Sequence, residues 1–549
     1  MIEFVILFDL LMKTFLKLPL SVLAIAFSAY SFLSAKTDSP DLERIIKDFE
    51  KIAVKAMEEE KVPGLVMGIV SGDKVVYLKG FGVKKVGSDD KIDPDTVFQL
   101  ASVTKPLVGT VVAAAVSQGM LSWNDTVKTY VPNFKMKEDW VTDQFMIRDA
   151  LSHRSGFRPF TGDDLESIGY SLNEIIDRFK YVNPVSSFRS QYAYQNEVIT
   201  IGALAAANAA KKDFNLLAKD VLLDPLDMYH TGFFFKDYEN AQNKAYSHVK
   251  DENGNWAQLY TRMPDEEFGG GGASSSARDM CNWLIMYLNN GKFKDRQVID
   301  EKDLLEAHTP QILTTNTDKL TGFYAMGIVV DYQNIENYHV WKHSGAFTTG
   351  IRSIIYMLPE EKIGIVILTN VFPSGLPEGL ARAFTILYKT GDKAHGLNIA
   401  LGGKNPEERG LFITYNYGQD KELAESGYED VSRSMVSDIQ SLLGKGVAFE
   451  EIEPALPLER YVGIYKSNYY DLLEVKLVNE GLEAYVGKNR THFNLKHTTG
   501  NIFSYEFLDT SKEPQKGLFT FEVDNQGNVT SVKLEYFDAD VFTKVSEKK

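Results

Sequence analysis

Disulfides are excluded at the outset. The 549-residue chain holds one cysteine, Cys281, so no internal bridge can form. That thiol reads as a small buried side chain in a helix. There is no His-Glu-x-x-His or Cys-x-x-Cys spacing, so metal chemistry has no support and no cofactor is implied. Positive charge is scarce: 59 Lys and Arg against 75 Asp and Glu give a net charge of −16. With no basic stripe, such a surface repels phosphate backbones, which excludes nucleic acid as a partner. A Gly-x-Ser-x-Gly elbow is missing, which argues against a Ser-His-Asp hydrolase of the α/β type. Gly269–Gly272 is not followed by Gly-Lys-Ser/Thr, so it is no phosphate loop. It reads as a tight loop before a helix starting near Ala277-Arg278-Asp279. No short-period repeat points to a solenoid.

What is present is ordinary globular composition, 44% hydrophobic and 24% charged. From Met12, Lys13 and Lys17 precede an apolar run, Leu18–Leu33, followed by Ser34, Ala35 and polar residues. Basic, apolar and small segments in that order predict a secretory signal peptide with an upstream extension, residues 1–35. The run is short of the roughly 20 residues of a membrane span, so cleavage is preferred over anchoring. The expected location is therefore periplasmic or secreted, with membrane tethering left open.

Ile45, Phe49, Ile52 and Ala56 recur at helical spacing between Leu42 and Met57. The runs LVMGIVSG and VVYLKGFGV meet at Gly72-Asp73-Lys74, a hairpin signature. A helix-rich stretch follows from Thr104 to about Ala210. Strands return at Arg352–Met357 and Ile363–Leu368, with a helix at Glu378–Tyr388. Strands from both ends of a long segment with helices between them predict a layered α+β domain. A polar segment, 391–455, reads as a linker with a helical stretch near Val431–Leu443. From Leu458 short alternating strands predict a small antiparallel β-barrel or sandwich.

Three patterns carry chemistry. Ser102-Val103-Thr104-Lys105 opens an apolar helix, and a spacing of three puts hydroxyl and amine on one face. Serine needs an adjacent base, and lysine serves only when its pKa is lowered. Tyr194-Gln195-Asn196 opens a second apolar stretch. His343-Ser344-Gly345 ends the strand-like YHVWKH, where glycine lets a substrate backbone approach. Each alone fits an uneventful reading: a capping serine, a core tyrosine, a strand end.

Together, in this order, the three resemble the serine β-lactamase and penicillin-binding-protein superfamily, in its class C-like branch of D-aminopeptidases and esterases. Phe98-Gln99-Leu100-Ala101, Leu151–Phe157, Gly270–Ser275 with Asp279, and Leu368-Thr369-Asn370 match too. Leu458–Tyr465 resembles the opening of a lipocalin-like barrel appended to some members. The resemblance implies a β-lactamase-like hydrolase domain over 36–390 and the barrel over 456–549. It implies that Ser102 forms an acyl-enzyme on an amide or ester, with Lys105 and Tyr194 sharing acid and base work. Asn196 would hold a substrate amide. The N–H groups of Ser102 and Ala346 would form an oxyanion hole beside Gly345. His343 would line the substrate side and reach Tyr194. Many β-lactamases carry lysine at that position. A histidine there fits a peptidase or esterase better and implies pH-sensitive activity. His153 reads as structural. A small-molecule or peptide substrate is implied, and a homo-oligomer is compatible. The alternative is a non-catalytic cell-wall peptide binder on the same fold, which need not retain Ser102, Lys105 and Tyr194 together.

Overall fold

The computed structural model describes residues 41–314, 322–333, 338–401, 454–507, 515–537 and 540–545. The expected signal peptide and the helical stretch near Val431–Leu443 lie outside the described residues.

The hairpin of β1 (Gly64–Ser71) and β2 (Lys74–Gly82) turns at Gly72, whose φ of +60° suits glycine. It joins strands from far along the chain: β3 (Ile312–Leu313), β4 (Gly322–Tyr324), β5 (Val329–Gln333), β6 (Tyr338–Phe347), β7 (Ile351–Leu358) and β8 (Ile363–Thr369). The antiparallel order is β2-β1-β8-β7-β6-β5-β4-β3.

The central strands are apolar throughout because both faces are covered. Successive side chains point to opposite faces. In β1, Val66 and Val70 join one core, while Leu65, Met67 and Ile69 join the other. The second core is closed by α1 (Leu42–Glu60) and α6 (Leu376–Thr390), where Phe49 meets Phe384 edge-on at 5.3 Å. Ile45, Phe49, Ile52 and Ala56 are all buried, as the helical spacing predicts. Lys393–Ala400, inside the segment read as a linker, forms helix α7, and Ile399 and Ala400 are buried.

On the other face lie α2 (Thr104–Ser117), α4 (Asn196–Ala210) and α5 (Ala277–Leu288). Every residue of α2 from Thr104 to Ala115 is buried, which explains a helix apolar on all sides. Cys281 in α5 is fully buried, and a Cβ on Gly68 of β1 would come within 2.4 Å of its sulfur. A one-turn helix, α3 (Asp163–Ser167), stands at the margin of this layer.

Two local expectations are corrected. Gly269–Gly271 belongs to a helical turn, Phe268–Gly271, because Gly270 and Gly271 donate back to the Glu267 carbonyl at 2.7 and 3.0 Å. His343-Ser344-Gly345 is not the end of its strand: β6 runs on to Phe347, since Gly345 and Ala346 pair with Ser353 and Arg352. The described pairing of β6 with β5 reaches only Lys342, so on that side residues 343–347 form an edge.

Eight antiparallel strands, β9 (Gly463–Ser467), β10 (Asp471–Val478), β11 (Gly481–Val486), β12 (Thr491–Thr499), β13 (Ile502–Phe507), β14 (Gln515–Val523), β15 (Val529–Leu534) and β16 (Phe542–Lys544), close into a barrel through β9 and β16. Tyr461, Phe503 and Phe521 pack ring on ring within it, as do Phe493 and Phe519. Side chains fill a barrel of this size.

Candidate active site

A strained turn presents Ser102. Ala101 has φ +47°, uncommon for a residue with a Cβ. The 3-10 turn Ala101–Val103 then leads into α2. Behind it, Ser353 donates to the Leu100 carbonyl at 2.7 Å, seating the turn against β7. On β6, a Cβ at Gly345 would lie 2.2 Å from the Leu100 oxygen and 3.0 Å from the Ser102 nitrogen. Only glycine permits that approach. Gly345→Ala is therefore expected to displace Ser102 from its partners and cut the acylation rate roughly a hundredfold, read by single-turnover kinetics.

The side chains of Ser102, Lys105, Tyr194 and Asn196 converge. The Tyr194 hydroxyl donates to Ser102 Oγ at 2.7 Å, and Lys105 Nζ lies 3.1 Å from the same oxygen. Ser102 is partly exposed, whereas Lys105 and Tyr194 are buried. Lys105 Nζ also donates to Asn196 Oδ1 at 2.7 Å and to the Gly270 carbonyl at 2.6 Å. Those two acceptors orient the amine. A neutral amine has two N–H groups and one lone pair; with both N–H groups engaged, the lone pair faces Ser102. Burial pushes the Lys105 pKa down to about 7, against the pull of the Glu267 and Asp163 carboxylates. Burial drives the Tyr194 pKa the other way, well above the usual phenol range, so it stays protonated.

Asn196 is engaged on both amide atoms: Nδ2 donates to Asp163 Oδ2 at 2.7 Å while Oδ1 takes the lysine. His343 is buried too. Its Nε2 meets the Tyr324 hydroxyl at 3.0 Å and its Nδ1 the Ser344 carbonyl at 2.7 Å, so its described partner is Tyr324 rather than Tyr194. Burial, with the Lys105 charge, holds its pKa down to about 3. It is therefore neutral near pH 7, and the pH sensitivity expected of His343 is expected of Lys105 instead. The neighbouring Lys342 points to the opposite strand face and pairs with Asp331 at 2.5 Å. His153 packs beneath Tyr194, ring centroids 4.6 Å apart, and its Nδ1 accepts from the Gln195 N–H at 3.2 Å.

The sequence did not single out the acidic ground behind Lys105. Carboxylate oxygens of Asp163, Glu197 and Glu267 lie within 4.8 Å of one another; among the described residues this is the donor set that could hold a cation. Arg262 already bonds Glu267 at 2.8 Å, and Asn196 bonds Asp163. Glu197 is fully buried and neither oxygen has a hydrogen-bond partner. Burial, then Glu267 and Asp163, raise its pKa well above the carboxylate range. Above pH 4.5 the unfolded chain loses this proton while the folded one keeps it, so stability falls as pH rises. Glu197→Gln is expected to raise the melting temperature by about 2–4 °C at pH 8, the gain vanishing toward pH 4.5. Differential scanning calorimetry at both pH values checks this.

Comparison with known proteins places the chain's fold and family. The beta-lactamase family pattern matches residues 49–387, and that of a domain of unknown function matches 449–547. Beta-lactamase-like protein 2 of Dictyostelium discoideum is 26% identical over 65% of this chain and 66% of its own length. Protein flp of Staphylococcus aureus is 24% identical over 59% and 62%. The chain thus spans just under two thirds of the length of these curated relatives. Unguisins hydrolase ungD' of Aspergillus campestris is 22% identical over 81% of this chain and 79% of its own. In fold, the chain resembles the octameric penicillin-binding protein homologue from Pyrococcus abyssi, with TM-score 0.53, 20% identity, and 91% of this chain and all of the other covered. It also resembles a class C beta lactamase from Rhodobacter sphaeroides, with TM-score 0.51, 18% identity, and 64% and 98% covered.

Proposed function

The chain belongs to the beta-lactamase family, and we propose that within it this protein is an exported serine hydrolase that cleaves an amide or ester through an acyl-enzyme on Ser102. The observation that carries the reading is the pair of contacts on Ser102 Oγ, from Tyr194 at 2.7 Å and Lys105 at 3.1 Å.

The division of labour follows from the two pKa shifts. Lys105, in the neutral form that its lowered pKa makes accessible, takes the Ser102 proton as the Oγ–carbonyl bond forms. The N–H groups of Ser102 and Ala346 receive the developing oxyanion, each donor contributing about 3–4 kcal/mol. Collapse breaks the bond to the leaving group. Tyr194 gives that group its proton and is reprotonated by the Lys105 ammonium. Water then attacks the ester carbon, giving a proton to Lys105, and Ser102 is released with its own proton restored. Asn196 acts by holding Lys105 rather than by binding the substrate amide first.

A relative named as a hydrolase of unguisins supports hydrolysis, and a buried, neutral His343 in place of a lysine favours peptides and esters over carboxylate-bearing β-lactams. The octameric relative supports assembly of this chain with copies of itself. Export rests on the basic, apolar and small order of residues 12–35. A panel of D-amino-acid amides, p-nitrophenyl esters and nitrocefin tests the substrate class. Turnover of the amides or esters by wild type, lost in Ser102→Ala, is expected. Turnover of nitrocefin alone would overturn the substrate preference, and turnover surviving in Ser102→Ala would overturn the mechanism.

A further inference from the structure

We infer that the C-terminal barrel is a working part of the catalytic centre: its Tyr469–Tyr470 corner holds helix α3, and α3 holds both groups that aim Lys105 at Ser102. The inference rests on Lys105 being the base for Ser102.

The corner lies between β9 and β10. Both tyrosines are at most 1% exposed. The hydroxyl of Tyr469 donates to Asp164 Oδ1 at 3.3 Å, and that of Tyr470 donates to Asp164 Oδ2. Arg158 also donates to Oδ2 at 2.9 Å, and the Leu165 N–H to Oδ1 at 2.9 Å. Asp164 belongs to α3, a helix of five residues. So short a helix does not hold itself together in water; its place must come from tertiary contacts. The tyrosines, brought from 305 and 306 residues away, supply those that come from the barrel. A separate contact of the barrel lies off this route, where Lys488 donates its N–H to the Ile168 carbonyl at 3.0 Å and its ammonium pairs with Glu174.

Two chains of contacts run from α3 to Lys105. In the first, Asp163, next to Asp164, accepts from Asn196, whose Oδ1 accepts from Lys105. In the second, Glu166 takes both ends of the Arg262 guanidinium at 2.8 and 2.9 Å. Arg262 bonds Glu267 at 2.8 Å, the Glu267 carbonyl accepts from the Gly270 N–H at 2.7 Å, and the Gly270 carbonyl accepts from Lys105. These two endpoints, Asn196 Oδ1 and the Gly270 oxygen, take the two N–H groups of the neutral amine. A shift of α3 therefore rotates the lone pair away from Ser102. Tyr469 and Tyr470 are positioning residues: they touch no substrate and act through Asp164.

The test uses the full chain and a fluorophosphonate probe, which reports attack by Ser102 on phosphorus with loss of fluoride whatever the natural substrate. In the Tyr469→Phe/Tyr470→Phe variant the maximal rate of labelling should fall roughly tenfold to a hundredfold, with probe affinity and final stoichiometry unchanged. Asp164→Asn should slow it similarly, and combining all three changes should add nothing, because they act on one link. Lys488→Ala loses the Glu174 pair, leaves Asp164 untouched and should label at the wild-type rate. A wild-type rate in the double variant overturns the inference. So does a loss of stoichiometry at an unchanged rate, which is the mark of a merely structural role, or an equal slowing in Lys488→Ala. Tyr470→Phe alone supplies the same reading if the double change does not fold. Failure of wild type to label Ser102 at all would instead sink the parent reading of the site.

Discussion

Replacing Ser102 with alanine is expected to cut turnover on the order of 10⁶-fold, as where a nucleophile and its base act as a unit, leaving only the residual rate that oxyanion donors and substrate binding supply. The fold survives the change. The turn before α2 takes no cap from the serine side chain; Thr104 Oγ1 ties it instead, donating to the Ala101 carbonyl at 2.6 Å and accepting from the Ala273 N–H at 2.9 Å. An unchanged melting temperature beside lost turnover is the expected pair of results. A non-catalytic binder would behave differently: wild type would show no turnover, and the alanine variant would bind ligand as before.

Lys105→Ala is the second large effect. It removes the base and leaves Asn196 Oδ1 and the Gly270 carbonyl without their donor. A fall of about 10²–10⁴ in acylation rate is expected from the lost proton transfer. The pH profile identifies the residue. Lysine accepts a proton only when neutral, so with a pKa of about 7 the wild-type rate rises with pH through that value and levels off above it. In Lys105→Ala the rise near pH 7 disappears. His343 contributes no inflection there, because burial keeps it neutral. Tyr194→Phe separates acid from base: it slows amides, whose nitrogen must leave protonated, far more than p-nitrophenyl esters, whose phenolate leaves unaided. Equal slowing of both would remove Tyr194 as the proton donor.

The parts of this arrangement legible in the sequence are those encoded by short spacing. Ser102 and Lys105 stand one turn apart, so their proximity follows from helix geometry once the apolar run of α2 is read as a helix. The hairpin at Gly72 and the buried stripe of α1 follow from the same periodicities. Alternation at Val475, Leu477, Leu482, Ala484 and Val486 makes an antiparallel barrel or sandwich legible, and the likeness of Leu458–Tyr465 to a family motif is what points to the barrel. Tyr194 was reachable only through its likeness to a family motif, since nothing local sets it 2.7 Å from a serine 92 residues earlier.

The rest depends on distant contacts. Glu197 sits in the first turn of α4, where an acidic residue looks like a routine complement to the helix dipole. Its isolation is created by Asp163 and Glu267 arriving from other segments. Asp164 reads as a loop residue until the barrel delivers two tyrosines to it. His343 looked like a titrating group because its ordinary pKa is near neutrality; burial beside Lys105 and Tyr324 removes that behaviour. The glycine run reads as a loop because glycine disfavours helix, yet a Cβ on Gly269 or Gly270 would strike Thr200 or Asn196, so close packing accounts for glycine in a helical turn.

Peptide mapping by mass spectrometry after brief reaction with a fluorophosphonate bears most directly on the site. The adduct is predicted on the peptide carrying Ser102, forming faster at pH 8 than at pH 6 in wild type and at neither pH on that timescale in Lys105→Ala. An adduct on any other residue, or one on Ser102 whose rate ignores both pH and Lys105, would contradict the account.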